Sequence, residues 1–315
     1  MKPLLTKVLL ALAMVATLPS CAVAQKVEVV SSLVMPPSAD YGRLNKLRTE
    51  GRMTKVYVDM LRTADGADKA HFPPEMAQLV DITPLGLTRL FTDTILKSRR
   101  FEVYDLRSTV TAEQADVMID AQIIAANQEF KPLEGGVQAA HTSVLLSVQM
   151  KDIYTGKYLL GTAVQVEGRT GLVSGDRAVL MPGESPSDPA IRNKLMIDYQ
   201  RALRRAFVLA GQRIEGILRP QGVVTVVDGN DMALMGGQQH GFQDGDELIV
   251  FRSKLITVGD SEKFGITKPI ALVRCTGVGT ETSQCAVVRK LADVQPSETD
   301  FAIITDASLR KTRWE

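Results

Sequence analysis

Three cysteines, three histidines and one Asp-Gly-Asp step are the residues of this chain whose types could do chemistry. Cys275 and Cys285 sit equally far from residue 280, in the β-type runs 270–278 and 284–289, with the polar turn Gly279-Thr-Glu-Thr-Ser between them. That symmetry places them face to face across a hairpin, as a disulfide. Closing so short a loop would stabilise by roughly 2–3 kcal/mol in the chain-entropy account. Two free buried thiols are the alternative, and the spacing without a nearby His is not a zinc pattern. His71, His141 and His240 stand far apart, with no His-Glu-x-x-His and no Cys-x-x-Cys, and are expected in loops or at the surface. Gly135-Gly136 and Gly236-Gly237 lack the Lys-Ser/Thr of a phosphate loop and read as turns, and no Gly-x-Ser-x-Gly elbow occurs. Asp244-Gly245-Asp246 could hold a cation, but a cation loop gathers more oxygens, and the step reads as a polar β-turn. No catalytic residue, metal or cofactor is therefore expected, and the chain reads as a protein that is not an enzyme.

Cys21 belongs to a different chemistry. Lys2 and Lys7 precede an apolar run over 8–18, too short for a bilayer, and Pro19 breaks it before small residues follow. This is an export signal, so the compartment is oxidising, which suits the cysteine pair. Two processing routes stay open. Leu18-Pro19-Ser20-Cys21 resembles a lipobox whose Cys21 is acylated, with Pro19 a departure from the pattern; Ala22-Val23-Ala24 before Gln25 suits ordinary signal peptidase, giving a signal peptide over 1–24.

The 315 residues suffice for two domains, and 45% apolar content excludes a disordered chain. Lys+Arg 37 against Asp+Glu 36, with 5% aromatics and the single Trp314, gives neither the basic field nor the stacking platform of a nucleic-acid binder.

The elements that must position these residues follow from periodicity and punctuation. Residues 25–52 carry Pro36-Pro37 and charges with little pattern, and read as a leader or tether. A strand over 55–61 is followed by a helix that starts at Thr83-Pro84, Thr as N-cap and Pro at the first position, and ends near Lys97-Ser98-Arg99-Arg100, whose cations suit a C-terminus. Strands are expected at 101–106, 115–124, 143–153 and 157–167, the last two joined by Tyr154-Thr155-Gly156 as an antiparallel hairpin. Asp188-Pro189 caps a long helix with an apolar stripe from Leu195 to Ile217; Arg201, Arg204 and Arg205 lie on its basic face, a solvated surface or a contact surface. Pro220 ends it, and short strands with Gly and Asp turns then suggest a small closed barrel. The division is 53–219 and 220–315.

The order of strand, helix ending in 96–103, strand 115–119, hairpin 144–166 with Asp152-Ile-Tyr-Thr-Gly156, and closing helix resembles the curli-assembly CsgG family and the periplasmic TolB-N-like domains. The tail 222–289, with Gly-Phe-Gln-Asp-Gly-Asp-Glu-Leu at 241–248, is similar to the C-terminal domain of the flagellar assembly protein FlgT. The resemblance implies an α+β fold, a mixed sheet with two packed helices, followed by a small all-β SH3-like barrel. It implies a periplasmic or outer-membrane-associated assembly or scaffold component of a surface appendage, a flagellar ring, curli-like fibre or holdfast, with copies of itself or a larger ring as partners. The first contact residues to consider are Arg201, Arg204 and Arg205. A lipoprotein regulator of an envelope enzyme such as a peptidoglycan synthase is the alternative. A CsgG-type export pore is a lesser one, because 129–141 is too short for two spanning strands and a turn, and 169–190 is interrupted by charges and prolines.

Overall fold

The computed structural model describes residues 53–63, 72–159, 164–170, 178–258, 261–311 and Trp314. The signal, Cys21, the leader over 25–52 and His71 lie outside the described residues.

Strand β1 (Lys55–Val58) runs parallel to β3 (Glu102–Tyr104) on one side and to β4 (Val117–Pro132) on the other. From β4 the sheet turns antiparallel through β5 (Gln138–Asp152) to β6 (Val164–Arg169), giving the order β3-β1-β4-β5-β6. Two short strands, β2 (Arg62–Thr63) and β7 (Val179–Leu180), add to β4 and β5. Alternation along β4 and β5 sorts the side chains: Ile119, Ala121, Ile123, Leu146 and Val148 are buried on the helix side, while Asp120, Gln122 and Gln149 are half-buried on the other.

Two helices cover that apolar face. Helix α1 (Pro84–Ile95) begins as its sequence dictates: the Thr83 hydroxyl oxygen accepts the Gly86 amide at 3.2 Å, and Pro84 occupies the first position. Helix α2 (Pro189–Ile217) follows Asp188, but that carboxylate accepts the Ser185 amide at 3.2 Å rather than a helix amide. Leu195, Tyr199, Ala202, Leu203, Ala206, Ala210 and Ile214 form its buried stripe, and Phe207 meets Phe91 of α1 with ring centroids 5.1 Å apart. The approach of α2 to β6 is close because position 168 is glycine: a Cβ there would stand 2.0 Å from the Ala202 carbonyl oxygen.

One expectation needs correction. The segment 129–141 is not an insert; β4 and β5 pair through it to Pro132↔Gln138 and turn over Glu134–Gly136, where Gly135 takes φ 73°. The Tyr154-Thr155-Gly156 turn forms, with the Gly156 amide on the Asp152 carbonyl at 2.9 Å and φ 67°. The returning strand is described over Val164–Arg169, where it pairs Val148↔Val164 to Ser143↔Arg169, and an isolated bridge Lys151↔Tyr158 lies nearer the turn; 160–163 fall outside the described residues.

After Pro220 the chain forms a closed antiparallel barrel of six strands. Its strands are β8 (Gln221–Asp228), β9 (Asp231–Met235), β10 (Glu247–Val258), β11 (Ser261–Val278), β12 (Thr282–Lys290) and β13 (Phe301–Ile304). Val224, Leu234, Phe242, Leu248, Val250, Ile270 and Val273 fill its core. A short helix α3 (Asp306–Leu309) then leads back to the sheet layer, where Trp314 is buried against Gly211 of α2 and its carbonyl accepts the Lys97 ammonium at 3.0 Å.

Candidate functional site

The joint between sheet layer and barrel is built around Arg100. After α1 a short 3-10 turn, Leu96–Ser98, ends at Arg99 in the left-handed region (φ 55°), which redirects the chain into β3. The turn carries Arg100 inward, so this residue is not the exposed helix-end cation its sequence context suggests. Its side chain is 1% exposed. The Nε donates to Glu215 of α2 at 3.1 Å, while Nη1 and Nη2 donate to the two oxygens of Asp246 at 2.8 and 3.1 Å. Nη1 also donates to the Gly241 carbonyl at 3.0 Å, and the Ser98 hydroxyl to Glu215 at 2.9 Å.

Gly241 allows this contact. It takes φ 84°, and a Cβ on it would lie 2.5 Å from the Arg100 carbonyl oxygen. The Asp244-Gly245-Asp246 step is therefore a turn whose carboxylates are already used: Asp246 faces Arg100 and accepts the Gln243 amide at 2.9 Å, and Asp244 accepts the Val278 amide at 2.8 Å. Among the described residues no group of three or more His, Cys, Asp or Glu is placed to hold a metal ion. Chemically, this joint fixes the barrel on the sheet; a bidentate guanidinium–carboxylate pair sets orientation as well as attraction.

The cysteine pair lies where its symmetry placed it. Cys275 pairs with Cys285 in register on β11 and β12, both are buried, and they stand as free thiols with sulfurs 3.0 Å apart. The hydrogen bond with Cys285 and burial together push the Cys275 thiol far above the ordinary range. Outside the same strands, a cleft of about 490 Å³ is lined by Val226, Asp228, Asp231, Met232 and Gln284.

Two histidines differ from expectation. His141 is half-buried in β5 opposite Glu129, and His240, in the short turn Gln238–His240, is buried, 3% exposed. The Gly237 amide donates to His240 Nδ1 at 3.1 Å, and burial lowers the pKa of this imidazole.

On α2, Arg201, Arg204 and Arg205 are exposed. They are not equivalent: Arg201 lies 3.6 Å from the buried Asp198, and Arg205 donates to the Arg169 carbonyl at the end of β6 at 3.1 Å. Asp198 in turn accepts the Ala178 amide at 2.8 Å. The pairing of Arg100 with Glu215 and Asp246 escaped the sequence reading because a buried ion pair between residues so far apart leaves no periodic signal.

No family model and no curated protein matches the chain. Solved structures similar to about half of it include the hypothetical protein CT253 from Chlamydia trachomatis, at 14% identity over 53% of this chain and 98% of that one, with a TM-score of 0.33. A neuraminyllactose-binding hemagglutinin homolog from Helicobacter pylori is 10% identical over 53% of this chain and 89% of its own, with a TM-score of 0.34. A PelC dodecamer from Paraburkholderia phytofirmans is 9% identical over 48% and 91%, with a TM-score of 0.21. Likeness at this distance transfers no activity to this chain.

Proposed function

We propose that this chain is an exported, non-enzymatic assembly component that works at the periplasmic side of the outer membrane by associating with copies of itself, in building a surface appendage. The observation that carries the reading is the open sheet. Among the described residues β3 and β6 each have a ladder partner on one side only, and the face bearing Asp120, Gln122 and Gln149 has no covering layer. A free strand edge is a template for another chain, and repeated use of unlike surfaces closes a ring. The buried Arg100 joint supports the same reading, because subunits held in one orientation can repeat one contact geometry. Within this reading, Arg205, which reaches the end of β6, and the exposed Arg204 beside it on α2 belong to the contact surface.

Full-length protein, followed by size-exclusion chromatography with light scattering over a dilution series, tests the reading together with imaging of the native complex in detergent extracts. The expected result is a concentration-dependent oligomer of defined size, weakened by Arg204→Glu. A chain that stays monomeric, and whose deletion leaves every surface appendage intact, overturns it. Co-purification of such a monomer with a peptidoglycan synthase would favour the regulator.

A further inference from the structure

The turn after β9 holds a buried imidazole where a second ring proton has no place. Residues 236–241 are stapled on one side to the turn between β11 and β12. There the Gly236 amide donates to the Glu281 carbonyl at 2.9 Å, Gln238 to Gly279 at 2.9 Å and Gln239 to Thr280 at 3.0 Å. On the other side they meet the joint, where the Gly241 carbonyl accepts Arg100 Nη1. A Cβ on Gly237 would stand 2.5 Å from the carbonyl oxygens of Gly279 and Thr280, and one on Gly241 would stand 2.5 Å from that of Arg100. The turn has no slack at either end.

Within it, His240 Nδ1 accepts the Gly237 amide, so the hydrogen of the neutral ring is on Nε2. That Nε2 is buried with no hydrogen-bond partner among the described residues. Protonation would place a second hydrogen on Nδ1, donor against donor with the Gly237 N–H, and leave a charged ring without an acceptor. Burying such a charge unpaired is costly. The Glu281 carboxylate favours the charged imidazole, but burial acts more strongly in the opposite sense. Arg100 and Asp246, at the far end of the turn, are bound to each other.

We propose that His240 is an acid-sensitive catch on the sheet–barrel joint: when Nδ1 takes up a proton the ring swings out, the 237–241 turn opens, and the Gly241 carbonyl releases Arg100. The bidentate Asp246 arm stays, so the barrel loosens on the sheet without parting from it. The device needs no second copy of the chain and goes beyond the self-association reading. Its linkage has a definite sign. The open turn has the ordinary imidazole pKa of about 6.5 and the closed turn a lower one. Opening is therefore favoured as pH falls through 6.5, by up to about tenfold per pH unit for one proton, and levels off below the closed-state value.

Hydrogen exchange of the full-length protein, followed by NMR on both sides of pH 6.5 and corrected for the intrinsic rate, tests this. Below that pH the Gly237, Gln238 and Gln239 amides and the Arg100 guanidinium protons should exchange faster together, by up to about tenfold per unit, while Leu248, Ile249 and Val250 of β10 keep their protection. His240→Asn, which keeps an acceptor for the Gly237 amide and does not titrate, should abolish the rise. His240→Ala, without that acceptor, should open the turn on both sides of pH 6.5. Turn amides that exchange equally above and below overturn the proposal, and so does a rise that His240→Asn retains, which assigns it to a carboxylate. A turn that opens while the Arg100 protons stay protected overturns the link to the joint. The His240 ring signal of the parent makes the test independent of whether a variant folds: an imidazole that stays neutral while the turn opens overturns the proposal as well.

Discussion

The Arg100 guanidinium and the Asp246 carboxylate form a bidentate pair at 2.8 and 3.1 Å across the sheet–barrel boundary, with side chains 1% and 5% exposed. Removing one member of such a pair leaves an uncompensated buried charge, which costs about 3–5 kcal/mol. Arg100→Met, which strands both Glu215 and Asp246, should therefore lower stability by that amount in urea unfolding of the full chain. A loss below about 1 kcal/mol would show that water replaces the guanidinium and that the joint is loose.

Gly168→Ala should separate α2 from β6. The new methyl would stand 2.0 Å from the Ala202 carbonyl oxygen and 2.4 Å from the Ala206 nitrogen, both backbone atoms that move only with the helix. Overpacking of this kind costs about 1–3 kcal/mol. Hydrogen exchange should accelerate in β6 before it does in the barrel; uniform acceleration would contradict the local origin.

The single tryptophan reports on the tail. A Cβ at Gly211 would lie 2.5 Å from the Trp314 ring, which can swing away where backbone cannot. Gly211→Ala should shift Trp314 emission to longer wavelength and open it to iodide quenching, while helix content by circular dichroism is unchanged. Emission identical to the parent would show that the ring does not depend on that contact.

For Cys275 and Cys285, an exported chain should carry a disulfide. Denatured, unreduced protein from an oxidising compartment should give no thiol signal from this pair, and Cys275→Ser should cost the barrel roughly 2–3 kcal/mol. Detection of both sulfhydryls would leave them as the buried thiols of the structure.

His240 gives a pH dependence with a definite sign. Burial lowers its native pKa below the ordinary 6.5. Above about 6.5 neither state is protonated and the residue contributes no slope; as pH falls through that value the unfolded chain takes up a proton that the native chain refuses, and stability drops. The loss levels off below the native pKa. His240→Asn, which keeps an acceptor for the Gly237 amide, should flatten the curve as pH falls through about 6.5. Parent and variant curves that run parallel would remove His240 as the cause.

What the sequence made legible was local. Thr83-Pro84, the apolar stripe of α2, the Gly156 turn and the facing cysteines each follow from a rule acting over a few residues, and the structure has them in place. The strand ends did not follow in the same way. The chain continues through Asn127 to Pro132 with mostly polar residues, so β4 outlasts its apolar signal. The Arg100 joint was least visible, since a cation beside a helix end has a satisfactory local explanation and its partners stand on α2 and in the barrel.

The contact between Gly211 and Trp314 also sets an order of events. At synthesis rates of about 5–20 residues per second, Trp314 follows Gly211 out of the ribosome by roughly 5–20 s. Throughout that interval the small-residue notch in α2 is bare, and the whole barrel is made before the indole arrives to fill it. The tail thus acts as a latch that closes only on a chain already carrying both layers, and a fragment stopped at the end of the barrel would leave Gly211 without its indole cover.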